Sequence, residues 1–350
     1  MPNTSTIHAD WYNEPLGLDD ILAGSLLIMF GATILPLYAL VAYVMFKNDK
    51  DIIGFRYLFS ASIADMMLMV NYALWPGITI LLKSEVFPTY TRSAMQMYLD
   101  WAWFSMCYHY MVIAWSRFAA IRYPTSFRIQ SRVWSYSICA GCYVAALVQV
   151  LCTHFQPWYV TFYYEPSHYG MLSEDFEKYL TRGQSFFFFS FHLLMMVIPI
   201  GFYSFAIILL FKHRNGVKSM SATSHSSVEA RLIVPCIFNS VVFIIGQVVI
   251  TIGTGEGKWA TWTVMILFSC NAAVNPLLLI LFSGIIRNKL LQVLNIRPQS
   301  LDSRYITVPN GLLSGSPSPP LGSKTMSSSR STPLMSTATR VSKDGVSCAV

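Results

Sequence analysis

Polar side chains placed inside long apolar runs are the chemically informative residues of this sequence. Asp65 stands well inside one such run, in Ser62-Ile63-Ala64-Asp65. Asp100 and Arg117 lie near the two ends of another, His192 in a third, and Asn271 with Asn275-Pro276 in the last. A charge at the centre of a bilayer costs about 2.5 to 3.5 kcal/mol on insertion scales, so Asp65 is expected to face a bundle interior and to find partners there. Pro276 lacks an N–H, frees the carbonyl of Ala272 and kinks its helix, and the two nearby amides can help satisfy the freed group. Such groups perform recognition and switching in an apolar medium rather than bond making. The sequence holds no zinc-ligand helix motif, phosphate-binding glycine loop or nucleophile elbow, so neither an enzyme nor a cofactor is expected.

The elements that must position these groups follow from composition. Of the 350 residues, 54% are hydrophobic and 12% are charged, about half the charged fraction of a soluble domain. A helix needs roughly 20 apolar residues to span a hydrocarbon core. Runs of that kind read Ile21 to Phe46, Tyr57 to Leu82, Ala94 to Ile121, Val133 to Cys152, Ser185 to Phe211, Leu232 to Gly253 and Trp259 to Phe282. The expected fold is an all-α membrane protein, a seven-transmembrane helix bundle. Ser283 to Leu294 alternates apolar and basic residues as a short amphipathic helix on the inner membrane surface would. The chain thus divides into an extracellular tail over 1–20, the bundle with its juxtamembrane helix over 21–295, and a cytoplasmic tail over 296–350. That last segment is too rich in Ser, Thr, Pro and Gly to fold on its own and is expected to be disordered.

Basic residues set the orientation. Lys47, Lys50, Arg56, Arg122, Arg128, Arg132, Lys212, Arg214, Lys218, Arg231 and Arg287 fall in one set of connections, whereas the opposite set holds only Lys83, Arg92, Lys178, Arg182 and Lys258. The first set is expected in the cytoplasm and the N-terminus outside, which puts the Asn3-Thr4-Ser5 glycosylation acceptor on the outer side. No short apolar segment with a cleavage site precedes the first run, so a removable signal peptide is not expected. The net charge of +7 is spread over loops that meet anionic lipid of the bilayer, which argues against nucleic acid as a partner. Neither long outer loop contains Cys, so no outer disulfide is expected.

Two motifs resemble those of a known family. Ser116-Arg117-Phe118-Ala119-Ala120-Ile121-Arg122-Tyr123-Pro124 at the end of the third run resembles the Arg-x-x-Ala-Ile-x-x-Pro form that ends the third helix of rhodopsin-like G-protein-coupled receptors. A membrane-edge Arg that only snorkels to headgroups is the alternative for Arg117. Asn275-Pro276 resembles the family's seventh-helix Asn-Pro motif, with Leu279 where its Tyr belongs. Asp65 then stands where the family's second-helix Asp couples to the seventh-helix Asn pair, Asn271 and Asn275 here, around a sodium ion or in a purely structural polar network. The first run lacks the family's Asn. In the sixth, Phe243 is retained while Gln247 and Val249 replace Trp and Pro, and counting back puts Glu229 where an acid pairs with the third-helix Arg; a solvated loop charge is the other reading. Together with the missing disulfide, this pattern resembles the nematode serpentine chemoreceptors of classes x, t or v.

The resemblance implies a chemoreceptor in the plasma membrane, with that of a sensory cilium as one location, that binds an extracellular ligand and activates a heterotrimeric G protein. Coupling and switching would rest on Arg117, Ile121, Pro124, Glu229, Asn275 and Pro276, and the tail would offer phosphorylation sites to a kinase and so a docking place to an arrestin. Side chains that could line a ligand pocket are Asp100, Trp103, His192 and Trp262, with Trp101 and Thr251 nearby; interfacial anchoring of the tryptophans and hydration of Asp100 are the alternatives. A membrane transporter or a ligand-gated channel subunit is the rival function. It would call for paired ionisable residues at mid-membrane and helices related by a repeat, whereas only Asp65 qualifies.

Overall fold

The apolar runs become helices whose ends are set by local chemistry. In the protein's computed structural model, which describes residues 11–84, 88–216, 233–252 and 257–294, the first helix, α1, spans Leu18–Lys47. It begins where the Asp20 carboxylate accepts the Gly17 N–H at 2.9 Å, an acid placed favourably at a helix N-terminus. It ends where the Asn48 amide caps the Val44 carbonyl at 2.7 Å. The others follow as α2 (Gly54–Leu82), α3 (Arg92–Arg122), α4 (Arg132–His154), α5 (Gln184–Gly216), α6 (Ile233–Ile252) and α7 (Lys258–Phe282). A short α8 (Gly284–Val293) is capped by the Ser283 hydroxyl. Five of these helices are long and apolar enough to cross a bilayer by length and composition alone. α3 is not one of them because it carries the most polar residues, among them the buried Asp100, Ser105, His109, Ser116 and Arg117.

α3 runs through the middle of the bundle and packs against α2, α4 and α5. α1 and α2 approach unusually closely. A Cβ added to Gly24 would lie 2.7 Å from Leu81, and one added to Gly77 would lie 2.7 Å from the Gly24 carbonyl. Small residues permit that approach, and close packing, rather than the hydrophobic effect, holds helices together in lipid. α2 is interrupted by a π-helical segment, Val70–Leu74, a distortion that recurs at functional sites. The lipid-facing sides of α4 and α5 expose Val144, Leu147, Val148, Phe186, Phe189 and Val197.

Between α4 and α5 the chain forms a hairpin that the sequence reading did not anticipate, β1 (Phe162–Glu165) pairing antiparallel with β2 (Gly170–Ser173), with Glu165 opposite Gly170. At its turn Tyr169 takes a left-handed conformation with φ 55°, which costs an L-residue about 1 kcal/mol. The Tyr169 ring is fully buried among Ala23, Leu27 and Ile80, with Trp11 and Trp262 against the same cluster. This end of the bundle is called the hairpin end and the opposite one the Arg117 end. Asn3, Glu229 and the segment from 295 onward lie outside the described residues.

Candidate functional site

Three polar assemblies are strung along the bundle, one at each end and one between. In the middle, Asp65 has no solvent exposure. Its Oδ2 accepts the Tyr38 hydroxyl of α1 and, at 3.0 Å, the Asn275 amide of α7. Its Oδ1 has no hydrogen-bond partner, and neither does the Oδ1 of Asn271, buried one helical turn before Asn275. Two buried oxygens that lack protein donors suit either an ordered water or a hard cation such as sodium. Among the described residues no group of three His, Cys, Asp or Glu side chains could hold a metal ion. Asp65, Asn271 and Asn275 stood out in the sequence because amides and acids are conspicuous in apolar runs. Tyr38 did not, because a Tyr in a span reads as packing until its hydroxyl finds a partner.

Arg117, also without solvent exposure, is the largest fully buried side chain among the described residues. Its Nη2 donates to the Gly54 carbonyl at the start of α2, at 3.2 Å. The neighbouring Ser116 hydroxyl turns back to the Ile113 carbonyl at 2.7 Å. Ile121 packs on the apolar cluster of this end, and Pro124 opens a short helix, Pro124–Arg128, whose Phe127 is buried. Beside them is a cluster invisible in the sequence. Asp49, between α1 and α2, accepts Arg132 Nε and the Tyr136 hydroxyl, each at 2.8 Å. Arg56 donates to the Asp49 carbonyl at 2.9 Å and to the Gln130 carbonyl at 3.1 Å. By composition Arg56 and Arg132 are membrane-flanking charges; folding turns them into a clasp between the two connections.

Of the residues nominated for ligand contact, Asp100, Trp103, His192 and Trp262 are engaged within the protein, and the Thr251 side chain lies outside those described. Asp100 Oδ2 accepts the Tyr159 hydroxyl at 2.6 Å and its Oδ1 accepts the Gln96 amide at 2.7 Å. Trp103 donates its indole N–H to His192 Nε2 at 3.2 Å and packs edge-on against Phe268 at 5.1 Å, while Phe268 stacks on Tyr72 at 4.6 Å. Trp262 donates to the Ala23 carbonyl at 3.2 Å. Trp103 and His192 therefore meet, whereas Trp262 belongs to the packing beneath the hairpin.

At the hairpin end charges replace the missing disulfide. Lys83 lies 3.1 Å from Asp20 Oδ2 and donates to the Trp11 carbonyl at 3.1 Å. Asp20 Oδ1 accepts Tyr169 and Trp11. Burial, followed by the bond to Asp20, pushes the Tyr169 hydroxyl well above its ordinary pKa, so it remains a donor. Glu165 accepts the Tyr12 hydroxyl at 2.6 Å and stands 4.0 Å from Arg92, and Lys258 meets Asp19 at 2.6 Å.

Comparisons with known proteins bear on the fold and the family. The fold is shared with squid rhodopsin, at TM-score 0.65 and 14% sequence identity over 83% of this chain and 89% of that one. No curated protein sequence matches the chain. Residues 28–282 match the family described as serpentine type 7TM GPCR chemoreceptor Srx. That match takes in the Arg117 motif, the Asp65 network and the Asn-Pro helix, and it decides among the classes the sequence left open: the chain belongs to the Srx family of seven-transmembrane G-protein-coupled chemoreceptors.

Proposed function

We infer that this chemoreceptor sits in the plasma membrane with its hairpin end outside and its Arg117 end toward the G protein. The distribution of Lys and Arg supports that orientation. Tags placed before Asn3 are expected to be reached by antibody on intact cells and tags after Val350 only after permeabilisation; equal labelling of both ends would overturn it.

The observation that carries the switch is the burial of the Arg117 guanidinium, held on the Gly54 carbonyl. A buried charge is costly unless it is well satisfied, so releasing it to another set of partners separates two states of the bundle. Glu229 is proposed as an inactive-state partner, because Ser116 offers Arg117 no adjacent acid. Asp65, Tyr38 and Asn275 link α1, α2 and α7 beside Pro276. Asp65 and Asn271 are the residues that would hold sodium, whose positive charge there would stabilise the inactive packing. Ile121 and Pro124 shape the surface that meets the G protein. Trp103 and His192 carry the ligand signal between α3 and α5.

Arg117→Ala is expected to abolish G-protein activation while leaving ligand binding intact. Glu229→Ala is expected to raise ligand-free activation at matched expression, since losing about 1.4 kcal/mol of inactive-state stabilisation shifts a two-state equilibrium tenfold. Unchanged basal activity would remove Glu229 from the switch. In the tail, Ser and Thr residues between Ser314 and Thr339 would take phosphate from a kinase and then recruit an arrestin-type partner. Deleting the chain after Arg297 is expected to slow desensitisation without weakening the first response.

A further inference from the structure

A lysine at the hairpin end fastens a segment that precedes the bundle. Lys83 follows the last residue of α2 in a left-handed conformation with φ 46°, and its side chain is 8% exposed. An ammonium group has three donors. Here they meet three acceptors, Asp20 Oδ2 at 3.1 Å and the carbonyls of Trp11 and Pro15 at 3.1 and 3.2 Å. The Trp11 ring lies 4.4 Å from the same ammonium, which is attracted to the ring face. Trp11 also donates to Asp20, and Tyr12 reaches the hairpin through Glu165 at 2.6 Å. Charge-assisted bonds, the stronger kind, thus strap residues 11–15 onto α1, the end of α2 and β1.

The helix held by this strap is built in two parts. Gly54–Met69 and Trp75–Leu82 are α-helical, and the π-helical Val70–Leu74 joins them, with the Trp75 N–H bonded five residues back to the Val70 carbonyl. Pro76 supplies no N–H to the turn before it, and helices bend at prolines and π-bulges. The part toward the hairpin end is seated on α1 at Gly24 and Gly77 and tied to the strap by Lys83. The other part bears Asp65 and, at its start, the Gly54 carbonyl that holds Arg117. At the joint the Tyr72 ring stacks on Phe268 of α7 at 4.6 Å, and Phe268 packs on Trp103. A hinge therefore stands between the strap and the residues of the switch.

Given that the chain is a receptor switched at Arg117, we propose that residues 11–15 are an autoinhibitory strap that, latched by Lys83, holds the π-helical hinge of α2 in the geometry that keeps Arg117 on Gly54. Releasing the strap lets the two parts of α2 turn about the hinge, takes Tyr72 off Phe268 and raises ligand-free activation, because the strap's contacts favour one of two states. Losing Lys83 leaves the Trp11 and Tyr12 side-chain bonds in place, so the response is graded.

The test places 3-fluorotyrosine at position 72 of the full chain, purified into nanodiscs with no G protein present, and reads the fluorine spectrum. The line of the stacked ring is identified as the one that Phe268→Leu moves. Lys83→Met, and independently Trp11→Ala with Tyr12→Phe, which leaves α2 untouched, are expected to enlarge a second line at least about fivefold, the effect of one net hydrogen bond. Lys258→Ala removes a neighbouring charge outside the strap and is expected to leave the spectrum unchanged. Growth below about twofold in either release variant, or equal growth in Lys258→Ala, would overturn the proposal. At matched surface expression both release variants are expected to raise ligand-free activation about fivefold; a larger second line without that rise would overturn the autoinhibitory role. If Arg117→Ala instead activates G protein as wild type does, the receptor switch has failed, and the spectra judge the strap by themselves.

Discussion

The two ends of the bundle hold charge in opposite ways. At the hairpin end Asp20, Lys83, Tyr169, Trp11, Glu165, Arg92, Tyr12, Lys258 and Asp19 share bonds, so each group has more than one neighbour or lies beside one that does. At the Arg117 end the Asp49, Arg132 and Arg56 clasp holds the two connections, while the Arg117 guanidinium, without solvent exposure, is sunk between α3 and the start of α2. A distributed network tolerates the loss of a member, and that suits a surface that must stay closed without a disulfide. A guanidinium without solvent exposure is costly to move from its acceptors, and that suits a switch.

Substitutions at the two ends sharpen this contrast. The largest effect is expected for Arg117→Lys, which keeps the charge but loses the planar fork: G-protein activation should fall by at least about tenfold, equivalent to 1.4 kcal/mol. Wild-type coupling in that variant would mean that charge alone suffices and that the ends are alike. Next comes Asp65→Ala between them, which leaves the Tyr38 hydroxyl and the Asn275 amide without their acceptor. A loss of about 2 kcal/mol in stability is expected, read from thermal unfolding in lipid, and a loss below about 0.5 kcal/mol would show that water replaces the carboxylate fully. Tyr169→Phe removes one donor to Asp20 while keeping the buried ring, and should cost about 1 kcal/mol with the Lys83 pair intact. If it instead released the whole hairpin, measured as rapid amide exchange over 162–173, the network would be a chain rather than a mesh. Smallest of all, Lys258→Ala breaks a pair whose side chains are 40% and 51% exposed and should change stability by no more than about 0.5 kcal/mol.

Particular residues show where legibility stopped. The helices lie close to the apolar runs: α2 ends at Leu82 as the second run does, α7 ends at Phe282 as the seventh does, and α5 continues five residues beyond Phe211 to Gly216. Apolarity sets these limits because a lipid-spanning backbone must satisfy its own hydrogen bonds, and a helix does so within one segment. Asp65 and Asn275 were conspicuous for the same reason, being polar where water is absent. The hairpin was not legible, since Phe162 to Ser173 shows no clean alternation and its pairing depends on Tyr169 finding a hole made by α1 and α2.

The amino-acid order by itself determined that this chain is a seven-helix membrane receptor, because span length, basic flanks and the Arg117 and Asn275-Pro276 motifs are local properties written in consecutive residues. Only the tertiary structure decided that Tyr38 meets Asp65, that Asp100 secures Tyr159 and Gln96, and that Asp49 clasps Arg132 and Tyr136. Each joins residues distant along the chain, and hydrogen-bond partners are chosen by distance and direction in space, which sequence spacing does not specify.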